Sequence, residues 1–213
     1  MIFTLLLAAS LAILTLVGGT WTIRRFAGHR SYDLVRSRLG TVAVFCSLLT
    51  VYLALISRFG WSAQMVGAVI MVAMLICLSI IDIVCLRLPD FLTVPLLVLG
   101  LVLNFFLVTP FVPFGSALLG AAAGYLVPGI LGLILVLLGR PPGIGGGDLK
   151  LLAAVGGWLG IETVMTVLLL ASLLFSAFHL VAGLRRATTR HSQFPFGPWI
   201  CGICIALMVL GAA

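Results

Sequence analysis

Five side chains in this sequence can carry negative charge: Asp33, Asp82, Asp90, Asp148 and Glu162. Two of them sit where a carboxylate is costly unless it has a use. Asp82 closes an apolar run, Val69 to Ile81, that no charge interrupts. An ionisable group at such a depth is expensive unless it is paired or functional. It also falls at the C-terminal end of the helix that this run would form, where the macrodipole repels negative charge. Asp148 follows Gly143-Ile144-Gly145-Gly146-Gly147 and opens a short helix beginning Leu149-Lys150-Leu151-Leu152. Asp148 could cap that helix, but a cap does not require four glycines before it. Glycines permit positive φ and the close approach of another backbone, so Gly143, Gly145, Gly146 and Gly147 are expected to form a loop that binds substrate backbone. Two carboxylates brought together in a partly dry site share a proton. One can then activate a water while the other donates to a carbonyl oxygen, the acid–base pairing of aspartic proteolysis.

The remaining acids have plainer readings. Asp33 lies among arginines and is expected to be solvated. Glu162 stands at a turn and marks a helix start. Asp90, in Leu88-Pro89-Asp90-Phe91-Leu92-Thr93, occupies the place of an N-cap before a new apolar run. Ser176 and His179 lie three apart on one apolar stretch, but no G-x-S-x-G stands near them.

The elements that must position these groups follow from composition. The chain has 213 residues, of which 63% are hydrophobic and only 8% charged. Its mean hydropathy is +1.35. That leaves too little polar surface to cover a water-soluble globule, so the class is an all-α polytopic integral membrane protein. Apolar runs between polar breaks predict about eight spans: 2–20, 41–57, 62–82, 91–109, 115–138, 149–160, 162–183 and 198–213. The stretch 149–183 is too long for one straight span and too short for two full ones. It is expected to be a short or re-entrant helix followed by a full one.

The net charge of +7 does not argue for nucleic acid, because the basic residues sit in short loops between apolar runs, where they orient the protein and meet lipid. With the N-terminus outside, Arg24, Arg25, Arg30, Arg36, Arg38, Arg87, Arg140, Lys150, Arg185, Arg186 and Arg190 all fall on the cytoplasmic side and Arg58 alone falls outside. Both termini are then outside. The first apolar run has its arginines after it rather than before it, and is expected to be a retained helix instead of a secretory signal. The lone Cys201-x-x-Cys204 pair lies within the last span with no second pair nearby, which suits buried apolar thiols; no metal and no cofactor are expected.

From residue 62 onward the chain resembles the type IV prepilin peptidases, polytopic aspartic proteases of the G-x-G-D class. The resemblance rests on Asp82…Leu88-Pro89-Asp90…Thr93-Val94-Pro95-Leu96, on the run Gly143 to Leu152, and on Pro195-Phe196-Gly197-Pro198 before the last span. It implies a six-helix peptidase core over 62–213, preceded over 1–61 by two helices joined by a basic cytoplasmic loop. It implies that Asp82 and Asp148 are the catalytic pair, working at the cytoplasmic face of the inner membrane. The implied substrates are prepilins or pseudopilins, whose basic leader is cut after a Gly at the membrane boundary. Longer members carry a cytoplasmic insert with two C-x-x-C pairs, associated with N-methylation of the product. Here the corresponding connection, Trp21 to Gly40, has no cysteine, so methyl transfer is expected to be missing. Two other readings of the same features remain: a proton- or cation-coupled transporter using the acid pair, and a non-catalytic assembly factor of a secretion system.

Overall fold

Out of water, a backbone must satisfy its N–H and C=O groups within its own segment, so long apolar runs become helices. The computed structural model describes residues 38–184 and 194–211, with side chains described over 48–181 and 194–211. The expected first span 2–20, most of the loop 21–40, Asp33 and the arginines Arg185, Arg186 and Arg190 lie outside the described residues. The rest is all-helical, with six helices: α1 (Arg38–Phe59), α2 (Ala63–Cys85), α3 (Asp90–Phe106), α4 (Phe114–Leu137), α5 (Gly146–Leu184) and α6 (Gly197–Leu210). By length and composition α2, α4 and α5 are long and apolar enough to cross a membrane.

Local chemistry fixes the helix ends. Ser62 caps α2, its hydroxyl accepting from the Met65 N–H at 3.2 Å. At the other end Leu86 takes a left-handed conformation (φ 52°) and its N–H returns to the Asp82 carbonyl at 2.9 Å. Asp82 therefore lies inside the last turn of α2, not beyond it.

The stretch expected as a short helix followed by a full one is two helical segments, labelled together as α5, that meet at a non-helical break at Gly160 (φ 79°, ψ 179°). The break is stabilised from outside. The side-chain amide of Asn104, buried on α3, donates to the carbonyls of Gly157 and Trp158, the last turn before Gly160. Its oxygen accepts from the N–H groups of Phe111 and Val112 in the loop after α3. One side chain thus serves four backbone groups that apolar surroundings would otherwise leave unpaired.

The α4–α5 seam is built from small residues. A Cβ at Gly120 would come within 2.5 Å of the Gly156 carbonyl oxygen, and one at Gly124 within 2.5 Å of the Leu152 carbonyl oxygen. Only hydrogen side chains allow this approach. On its other side α5 meets α3, where Trp158 is fully buried against Gly100 and its indole N–H donates to the Leu96 carbonyl at 2.6 Å. α2, α6 and α1 form the second group of helices, packed through Tyr52, Leu55, Met71, Leu75, Leu78, Ile200 and Met208. Cys201 and Cys204 are buried and free in α6. By contrast α4 is apolar all round, yet Leu118, Leu119, Ile130, Leu131 and Leu133 are exposed. A surface of that kind is stable against lipid rather than water.

Candidate active site

Asp148, on α5, is supplied by the first group of helices, α3, α4 and α5, and Asp82, on α2, by the second. Both line one cleft of about 610 Å³.

Asp82 is 5% exposed. Its Oδ2 accepts the N–H of Gly197, the first residue of α6, at 2.9 Å. The helix end that carries Asp82 disfavours its charge, and the N-terminus of a different helix supplies the compensating donor and dipole. A bond from an N–H to a charged group contributes about 1.5–3 kcal/mol. Gly197 is needed as glycine: a Cβ there would lie 2.7 Å from the same Oδ2. Sequence reasoning used Pro195-Phe196-Gly197-Pro198 only to recognise a pattern, and this contact is what the motif builds.

Asp148 is half-buried in the first turn of α5. Its carboxylate lies close to Gly145, the residue just before the helix, where a Cβ would stand 3.3 Å from Oδ2. Asp148 therefore both stands at the start of the helix and faces the cleft.

The four loop glycines differ in their surroundings. Gly143 and Gly145 line the cleft with Pro142 and Ile144. Gly146 and Gly147 belong to α5, which starts three residues earlier than the apolar pattern alone predicted. A Cβ on Gly147 would lie 2.9 Å from the Leu88 Cβ, whereas one on Gly146 would meet nothing within 4 Å. None of the four has positive φ. The glycine at 147 serves close packing, not a special backbone angle.

Asp90 requires a correction. The N-cap of α3 is Pro89, with no side-chain capping bond, and Asp90 is the first helical residue. Its carboxylate instead pairs with Lys150, whose Nζ lies 2.6 Å from Oδ1 and 2.7 Å from Oδ2. A carboxylate in a first turn is already favoured by the dipole, and the ammonium two residues past Asp148 draws it outward from the cap.

The opposite wall of the cleft carries Ser172, Phe175 and Ser176 from α5 and Phe194, Pro195 and Phe196 before α6. His179 stacks edge-on against Phe175 (ring centroids 4.3 Å apart) and Phe194 (4.6 Å). Its Nε2 is buried without a hydrogen-bond partner, and so makes no bond to Ser176 in this arrangement. Among the described residues no three His, Cys, Asp or Glu side chains gather as a metal would need. The constellation offers two carboxylates, that of Asp82 steadied by a backbone N–H, facing a space large enough for an extended peptide segment.

Comparison with known proteins agrees with this chemistry. The profile described as the Type IV leader peptidase family matches residues 69–180, just over half of the chain. A protein of Aeromonas salmonicida (strain A449) named prepilin leader peptidase/N-methyltransferase is 39% identical over 166 residues, covering 78% of this chain and 56% of that protein. Proteins of the same name from Neisseria gonorrhoeae (41% over 141 residues; 66% and 47%) and Xanthomonas campestris pv. campestris (33% over 181 residues; 85% and 62%) are also similar. The chain spans about half the length of the curated relatives it matches. No solved structure matches it.

Proposed function

This chain belongs to the type IV leader peptidase family, and from that premise we propose that it is a membrane-embedded aspartic endopeptidase that removes the basic leader of prepilins or pseudopilins. The observation that carries the proposal is that Asp82 and Asp148, from two different groups of helices, line the same cleft. One carboxylate takes a proton from water as the oxygen attacks the scissile carbonyl carbon. The other gives its proton to the carbonyl oxygen, forming a neutral gem-diol. Collapse breaks the C–N bond, the nitrogen takes up the first proton, and the second returns to its carboxylate. The products are a leader with a new carboxyl end and a mature chain with a free amine. The substrate backbone runs along Gly143 and Gly145, with Gly146 and Gly147 setting the level of the helix start. Its apolar side chains lie toward Phe175 and Phe196.

In this reading the protein is a multi-pass protein of the inner membrane with about eight spans, the two-helix segment 1–61 preceding the core 62–213. Both termini face outward and the cleft opens at the cytoplasmic face. The one-sided distribution of the arginines supports the orientation. The lipid bilayer covers the exposed faces of α4 and the second half of α5.

The names of the relatives also include N-methyltransferase. For this chain we assign the peptidase step alone, because the connection from Trp21 to Gly40 carries no cysteine and is too small to enclose a nucleoside cofactor unaided. The test is mass spectrometry of a prepilin incubated with the purified protein, with and without S-adenosylmethionine. The expected product begins after the leader with an unmodified amine in both samples. A cofactor-dependent gain of about 14 Da would defeat the second assignment, and an uncut substrate the first.

A further inference from the structure

The Asp90–Lys150 ion pair joins residues sixty positions apart. Neither residue lines the cleft. Lys150 follows Asp148 by two positions, and residues so spaced on a helix point to different sides. The first turn of α5 therefore presents Asp148 to the cleft and Lys150 to the start of α3. A second contact lies alongside, where Gly147 meets Leu88 so closely that a Cβ would stand 2.9 Å from the Leu88 Cβ. The chain from Asp82 to Asp90 is itself short and stiff: the last turn of α2, the left-handed Leu86, then Pro89 with its ring-fixed φ. These pieces close a ring. It runs from Asp82 through Leu88 to Asp90, across the ion pair to Lys150, and back over about half a helical turn to Asp148.

Resting on the peptidase reading, we infer that Asp90 and Lys150, with the Leu88–Gly147 contact, form a clamp that sets the separation of the two active carboxylates. They are positioning residues. Both ends are partly exposed, at 40% for Lys150 and 63% for Asp90, and exposed ion pairs contribute little to overall stability. A pair in that setting matters for where it holds α5, not for how tightly the protein folds.

The test compares cleavage by Asp90→Ala, Lys150→Ala, Asp90→Asn and the reversed pair Asp90→Lys with Lys150→Asp, each in membranes. Misplacing reacting groups by about 1 Å costs on the order of 100-fold in rate. The alanine variants are therefore expected to lose about 10- to 100-fold in kcat with KM unchanged. Asp90→Asn keeps an oxygen acceptor for Lys150 and should stay near the parent activity, and the reversed pair should recover most of the loss. A second readout needs no activity. With Asp82→Cys and Asp148→Cys in a background free of other cysteines, bridging by a short bifunctional thiol reagent should be at least halved by adding Asp90→Ala. Undiminished kcat and undiminished bridging in the alanine variants would overturn the clamp. So would a rise in KM at constant kcat, which would put Lys150 on the substrate, or a reversed pair that recovers nothing. A parent protein that cuts no prepilin would remove the peptidase reading, and the bridging yield would then decide the clamp alone.

Discussion

The side-chain nitrogen of Asn104 lies 3.0 Å from the carbonyl oxygen of Gly157, tying the last turn of α3 to the turn of α5 that precedes its break. The same amide serves Trp158, Phe111 and Val112. Asn104→Leu keeps the branching at Cγ and the number of side-chain heavy atoms and removes every one of these bonds. Leaving a buried polar group unpaired costs about 1–3 kcal/mol, so a loss of at least about 2 kcal/mol is expected. Thermal unfolding of the purified protein in detergent measures it. An unchanged Tm would mean that the break at Gly160 needs no outside support.

Gly197→Ala introduces a methyl group against the Asp82 carboxylate. The carboxylate must turn away from its N–H donor or α6 must shift. Cleavage is expected to fall by about 100-fold, while the protein accumulates in the membrane at the parent level. Gly202→Ala is the control, because nothing lies within 4 Å of a Cβ there. Equal activity in the two variants would separate Gly197 from the site.

Asp82→Asn and Asp148→Asn should each abolish detectable cleavage, since general acid and general base contributions run to about 10²–10⁴-fold each and neither group can replace the other. Both proteins should still insert and accumulate. Substantial cleavage by Asp148→Asn would end the aspartic mechanism.

Orientation can be read by labelling. In intact cells, single cysteines at Ile144 and Arg87 should resist a membrane-impermeant thiol reagent, and one at Trp61 should react. The reverse pattern would place the cleft on the far side of the membrane, away from any leader held in the cytoplasm.

How much of this was legible in the sequence depended on whether a residue's type reveals its task. Asp82 stood out because its carboxylate closes an uninterrupted apolar run, and Asp148 because four glycines crowd the five positions before it. The break in α5 followed from length alone, a stretch too long for one span, although Asn104 as its support left no trace. The eight expected spans correspond to six labelled helices among the described residues because span 2–20 lies outside them and 149–160 and 162–183, two segments meeting at the break at Gly160, are counted together as α5. The early start of α5 was missed because the N–H groups of a first turn need no helical partner, so glycines can occupy it at little cost. Asp90 looked like a cap, since the cation that captures it lies sixty residues away. Gly197 acts through a backbone N–H, which every residue but proline possesses, and only its missing side chain marks it.

The bond between Gly197 and Asp82 spans 115 residues, and this has a consequence during synthesis. At about 5–20 residues per second, the ribosome needs roughly 6–23 seconds after making Asp82 to produce its donor. By then α3, α4 and α5 have been made and the glycine seam between α4 and α5 can have closed. A nascent chain halted just short of Gly197 would hold both aspartates, the whole glycine-rich loop and the Asp90–Lys150 pair, yet its reaction centre would be unfinished. In the proposed peptidase, Asp82 gains its backbone donor only once α6 is made, so cleavage is expected only after that helix has joined the fold.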